Sequence, residues 1–170
     1  MSAEKKKQMG VLALIVLLIV VLVGSLLFVG AVSGWFEDSK VVLSEEYYTE
    51  SSELKDLSVE EYQNLINDEK SFLIFVDQKE CKTADRLRGY MEDYMKDKGV
   101  MVYRMMFSEA KDSSLHDYVK YYPSVVIINK GRIRTFLRAD SNEDTNKYNE
   151  YEAFMAWMDS NIDLKAKDIE

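Results

Sequence analysis

One cysteine, one proline and one histidine stand among the 170 residues, with only seven glycines. A lone Cys81 excludes an internal disulfide, so covalent redox chemistry would need a partner, a small thiol or a second copy of the chain. With His116 as the sole histidine and no vicinal cysteine, zinc has no ligand set, and neither a metal nor another cofactor is expected. The glycines form no phosphate-cradling loop, and no Gly-x-Ser-x-Gly nucleophile turn occurs. A basic stripe is also missing. Residues 37–170 carry 19 basic and 29 acidic groups, a formal charge of −10, which repels phosphate backbones and argues against nucleic acid as a partner.

The chain does contain one long apolar run. Residues 11–32, VLALIVLLIVVLVGSLLFVGAV, make 22 residues without a charge, close to the ~20 that cross a bilayer core as a helix. The run exceeds the ~7 to 15 apolar residues of a cleaved signal peptide, although AVSG at 31–34 offers a cleavage point. Lys5, Lys6 and Lys7 precede it and an acidic stretch follows, so the positive-inside rule puts residues 1–10 in the cytoplasm and the rest outside. Trp35 and Phe36 suit the headgroup zone at the far boundary. The expectation is a single-pass membrane protein, with the helix over 11–32 as its membrane contact and an acidic tether over 33–56. Val41, Val42 and Leu43 form a short apolar patch in that tether, and an edge strand is expected near 53–57.

A folded domain is expected over 57–162, followed by a tail at 163–170. Ser58 with Glu61 three residues on forms a capping box, and Val59, Tyr62, Leu65 and Ile66 fall at helical spacing. SFLIFVD then reads as a strand covered on both faces. After Cys81, the residues Ala84, Leu87, Met91, Tyr94 and Met95 recur at steps of three and four, the inward face of a second helix. A strand is predicted at 100–107, a short helix at 112–122, and two strands at 125–129 and 132–138 joined through Asn129-Lys130-Gly131. Tyr151, Phe154, Met155, Met158 and Ile162 mark a closing amphipathic helix. The fold class is α/β, with parallel units first and a hairpin closing a mixed sheet.

The single proline lies in KYYPSVVIINKGRIRTFL. Together with a cysteine 42 positions earlier at a strand-to-helix junction, this stretch resembles the second signature of the thioredoxin-like superfamily, over residues 57–162. The resemblance implies a three-layer fold, with Pro123 as the cis-proline, Ser124 as the hydroxyl residue after it, and Gly131 as the hairpin glycine. It also implies that a Cys-x-x-Cys pair would begin the helix at Cys81. Here the stretch reads Cys-Lys-Thr-Ala. Were Cys81 the second, resolving cysteine, the inward helix positions would include Asp85, Arg88 and Glu92; as the nucleophile, it leaves those positions apolar. Cys81 therefore takes the nucleophile's place and Ala84 the resolver's. Glu80 stands where tryptophan is usual and Thr83 where proline is common. The buried acid found in many members would fall near Phe75 and is missing, and Asp77, two residues on, need not replace it.

Three functional readings remain open. The groove between the cysteine and cis-proline loops, walled by Glu80, Lys82, Thr83, Tyr122, Pro123 and Ser124, would hold an extended protein or peptide partner through main-chain hydrogen bonds. The leading expectation is such a binding domain without dithiol activity. The alternative is an enzyme exchanging disulfides through Cys81 alone, released by an external thiol. Lys79, Lys82 and the helix start favour a thiolate there, and Glu80 opposes it. A structural subunit of a membrane complex is a third possibility. His116 and the adjacent acidic pairs read as surface groups.

Overall fold

The computed structural model describes residues 15–21, 25, 40–49 and 53–164. The chain divides into two units, residues 1–39 and 40–170. In the first unit residues 15–21 are helical. Most of the expected span over 11–32 lies outside the described residues, as do 1–10 and 33–39. Among the described residues no helix is long and apolar enough to cross a membrane.

The second unit is built on a five-stranded sheet. Its strands are β2 (Lys55–Asp56), β3 (Phe72–Asp77), β4 (Tyr103–Met106), β5 (Ser124–Asn129) and β6 (Arg132–Phe136), in the order β2-β4-β3-β5-β6. The β2–β4 and β3–β4 pairs are parallel, whereas β3–β5 and β5–β6 are antiparallel. This is the mixed sheet the sequence pattern predicts. All six residues of β3 are buried, because helices cover both faces and leave the run FLIFVD no wet side. Helix α1 (Val59–Asn67) starts on the expected capping box, with the Ser58 hydroxyl accepting from the Glu61 N–H and the Glu61 carboxylate accepting from the Ser58 N–H. Helix α2 (Lys82–Lys98) buries Ala84, Leu87, Met91, Tyr94 and Met95, the five positions its periodicity marks.

Several boundaries differ from the sequence expectations. Residues 40–49 belong to the domain and not to a tether. Strand β1 (Val41–Val42) pairs in parallel with β7 (Ile162–Asp163), Val41 and Leu43 are buried, and Tyr47 packs its ring against Phe72 and Tyr103. The apolar patch thus covers core surface that would otherwise be wet. The strand expected over 100–107 stops at Met106, where the Glu109 carboxylate caps the Met106 N–H and starts a short helix, α3 (Phe107–Ala110). The helix expected over 112–122 is only a 3-10 turn, Ser114–Asp117, because the Ser113 hydroxyl accepts from the Leu115 N–H and competes with a longer helix. The polar stretch before the closing helix contains α4 (Thr145–Asn149), separated by an extended Glu150 from α5 (Tyr151–Asn161). Ile162 lies in β7 and not on the helix.

The β5–β6 hairpin turns through Lys130 and Gly131, both at positive φ. Gly131 sits at φ 70°, and a Cβ there would come within 2.3 Å of the Ile66 carbonyl oxygen on α1. Gly131→Ala should therefore lower stability by about 1–3 kcal/mol. Gly89→Ala, in the interior of α2 with nothing within 4 Å of the new Cβ, should raise it by about 0.5–1 kcal/mol. Urea unfolding midpoints of the two variants check the pair. Burial also pushes the Tyr47, Tyr94 and Tyr148 phenols above the ordinary value of 10.0. The folded state then holds these protons more tightly than the unfolded chain. Stability should be complete below pH 10 and fall as pH rises beyond it, which melting temperatures against pH will show together with a late tyrosinate absorbance rise.

Candidate functional site

The last residues of β3 and the first of β5 bring the site together. Val76 pairs with Ser124, so the loop leaving β3 toward Cys81 runs beside the loop entering β5 through Pro123. The Tyr122–Pro123 peptide is cis. Cys81 is the N-cap residue of α2, partly exposed, with no side-chain hydrogen bond to the helix start. That position faces the unpaired amides of the first helical turn, which favour negative charge. Ala84, one turn further in, is fully buried.

Cys81, Thr83, Tyr122 and Pro123 line one depression of about 250 Å³, joined by Ala139, Ser141, Thr145, Tyr148 and Asn149. Four of the expected site residues thus converge. Three do not. Ser124 is fully buried and donates its hydroxyl hydrogen to the Leu137 carbonyl at 2.7 Å, tying β5 to the end of β6. It is a core residue because it is already inside the β3–β5 ladder. Glu80 has φ 58°, which turns the chain sharply before the helix, and it lines a different cleft. Lys82 is exposed on the first turn of α2 and lines neither cavity. His116 is half-buried in the 3-10 turn, away from this depression.

The wall formed by residues 139–149 has no counterpart among the groove residues expected from the sequence. Its residues lie some sixty positions from Cys81 and carry no chemical motif. Tyr148 offered the one signal: a large aromatic in a polar run, which the structure buries. Its hydroxyl donates to the Pro123 carbonyl at 2.9 Å. Tyr122 stays exposed, with its ring against Phe107 at 4.2 Å between centroids.

No acid stands at Phe75, where the family resemblance would put one, yet a carboxylate two residues on is buried. Phe75 occupies the predicted position and is apolar core, while Asp77 at the end of β3 is only 3% exposed. Its carboxylate accepts from Arg88 Nη2 at 2.9 and 3.0 Å, from Arg88 Nε at 3.3 Å and from the Gln78 N–H at 2.7 Å. Arg88 also reaches Asp85 at 3.0 Å. These hydrogen bonds hold the Arg88 guanidinium above its ordinary range. Asp77 lines a charged cleft of about 600 Å³ with Glu61, Glu80, Arg88, Arg104 and Glu109, and does not line the Cys81 depression. It is a structural anchor for α2. Among the described residues no group of carboxylate, histidine and cysteine side chains is placed to hold a metal ion. Replacing Arg88 with Met would leave Asp77 buried and unpaired. The Arg88 side chain is itself 27% exposed, so the cost expected is about 1–3 kcal/mol, below that of breaking a fully buried pair. Adding Asp77→Asn should recover part of it, and a double-mutant cycle in urea checks both.

No family model matches the sequence, and neither does any curated protein. Solved structures do. Thioredoxin f from spinach chloroplast aligns over 72% of this chain and 97% of its own at 7% identity, with a TM-score of 0.50. Thioredoxin from Trypanosoma brucei brucei aligns over 68% and 97% at 12% identity with a TM-score of 0.47. Mitochondrial thioredoxin 3 from Saccharomyces cerevisiae aligns over 51% and 85% at 17% identity with a TM-score of 0.43. With the strand order β2-β4-β3-β5-β6, the cis-proline and a cysteine at the start of α2, the domain that follows residue 39 has the thioredoxin fold.

Proposed function

We propose that this chain is a membrane-anchored, extracytoplasmic thioredoxin-fold protein that binds an extended polypeptide in the Cys81–Pro123 depression and does not turn over as a dithiol oxidoreductase. The observation that carries the reading is the fully buried Ala84 one turn beyond a partly exposed Cys81. Where a resolving thiol would have to stand there is a methyl group, and the chain has no other sulfhydryl. A mixed disulfide formed at Cys81 therefore has no internal route of release. The recognition surface does not depend on that second sulfur. A cis-proline loop beside a partly exposed helix start can still hold an extended chain by main-chain hydrogen bonds.

Anchoring rests on the uncharged run 11–32 and on seven consecutive apolar side chains, Ile15 through Val21, that are 47–62% exposed. An aqueous environment would penalise such a surface, whereas a bilayer matches it. The lysines before the run support a folded domain outside the cytoplasm, by the positive-inside rule. A second reading, disulfide exchange through Cys81 alone, is favoured by the same partial exposure of the thiol, which leaves it open to attack on a partner's disulfide.

A peptide disulfide probe separates the two. The binding reading expects at most one equivalent of mixed disulfide per chain, stable until an external thiol is added. Many equivalents reduced per chain at physiological glutathione would overturn it in favour of exchange. Ala84→Cys should convert trapping into release, because the new thiol sits one helical turn from Cys81 and can displace the bound sulfur. Mass spectrometry of the adduct with time checks this outcome.

A further inference from the structure

The wall of the depression that the sequence conceals is fastened to both of its neighbours. On the α2 side, Arg86 Nη1 donates to the Tyr148 carbonyl at 3.4 Å and to Asn149 Oδ1 at 2.5 Å, and the Tyr90 hydroxyl donates to the Asn149 carbonyl at 3.2 Å. On the β5 side, the bond from the Tyr148 hydroxyl to the Pro123 carbonyl is buried. Helix α4 is thus a strap between the helix that begins at Cys81 and the cis-proline loop. At its other end the Asp144 carboxylate accepts from the Arg138 N–H at 2.8 Å, which anchors the strap to the chain leaving β6.

The strap leaves adjacent main-chain groups in different states. The Pro123 carbonyl is already engaged by Tyr148, and burial keeps that phenol protonated, and so a donor, far into the alkaline range. Among the described residues, no hydrogen bond engages the main chain of Tyr122, which lies outside any helix or strand. A buried carbonyl without a donor is costly, so losing the phenol hydroxyl would drive this loop to re-orient toward water.

We propose that Tyr148 is a positioning residue of the partner groove: it fixes the Pro123 carbonyl inward, so that the Tyr122 main chain is presented to an extended polypeptide in one conformation. The proposal rests on the polypeptide-binding reading above. The gain is preorganisation, since a loop already held in its bound form loses less freedom when the partner arrives. Small reagents that touch only the sulfur gain nothing from it. The strap therefore sets preference for polypeptide over small disulfides, without itself touching the sulfur's chemistry.

The test uses the full chain in lipid nanodiscs and two probes. One is an extended eight-residue peptide whose single cysteine carries a nitrothiobenzoate disulfide, and the other is the symmetrical reagent 5,5′-dithiobis(2-nitrobenzoate). In both, the Cys81 thiolate, its proton already lost to solvent, attacks one disulfide sulfur. A new S–S bond forms as the old one breaks, and the yellow nitrothiobenzoate anion leaves with the electron pair. Wild-type protein should prefer the peptide, and Tyr148→Phe should lower the peptide-to-reagent rate ratio by about tenfold, the scale of one immobilised side chain. Arg86→Ala, which frees the strap at its exposed end, should lower the same ratio in the same direction should the first variant fail to fold. A wild-type preference that both variants retain would sink the positioning role alone. Equal rates for peptide and reagent in the wild type, relative to free cysteine, would sink the polypeptide-binding reading and the positioning role with it.

Discussion

The register between β3 and β5 brings the cysteine loop and the cis-proline loop of the site together. Val76 opposite Ser124 is the last pair of that antiparallel ladder, and beyond it the two strands continue into loops that run side by side. One loop carries Cys81 into α2, and the other carries Tyr122 and Pro123 into β5. Slipping the ladder by one residue would turn each buried side chain of the pair to the opposite face. Because Phe72 through Val76 and Val125 through Ile128 are buried, such a slip would have to exchange packing partners on both faces of the sheet. The site is held by hydrophobic burial some distance from its own chemistry, which leaves its surface residues open to change.

That division accounts for what could be read from the sequence. The inward face of α2 was legible because five apolar residues at helical spacing admit one buried orientation, and this placed Cys81 at the helix start with Ala84 inside. The hairpin at Lys130 and Gly131 was legible because the turn demands positive φ at both residues and one of them is glycine. Contacts between distant segments left weaker marks. Val41, Leu43 and Tyr47 lie among acids and serines, and composition made a tether of a stretch whose alternate residues complete the core. Ser124 resembled a groove residue by its place beside Pro123, yet its hydroxyl turns to the Leu137 carbonyl. Tyr148 acts through a hydrogen bond to a carbonyl 25 residues earlier in the chain, and no periodicity announces such a bond.

Charge and sulfur are distributed in a way that bears on chemistry. Asp77 satisfies the requirement that a buried carboxylate be paired, through a guanidinium that approaches both of its oxygens. A carboxylate committed in this way ties α2 to the end of β3, and it lies outside the Cys81 depression. The Cys81 depression is lined instead by Thr83, Ser141, Thr145, Tyr148 and Asn149, groups that hydrogen-bond without titrating near neutral pH.

These features act in the same direction. Turnover by a dithiol requires a second sulfur within reach of the first, and a nearby acid or base to manage the protons. At this site the first requirement meets a buried methyl group, and no carboxylate lines the depression. The recognition proposed here requires only a preset main chain beside a shallow cavity, and the Tyr148 hydroxyl on α4 holds the Pro123 carbonyl of the cis-proline loop at that cavity. The hydrogen bonds of α4 and Tyr148 hold the cis-proline loop still, and Cys81 has no second sulfhydryl in this sequence to displace a bound sulfur; the proposed binding role draws on both.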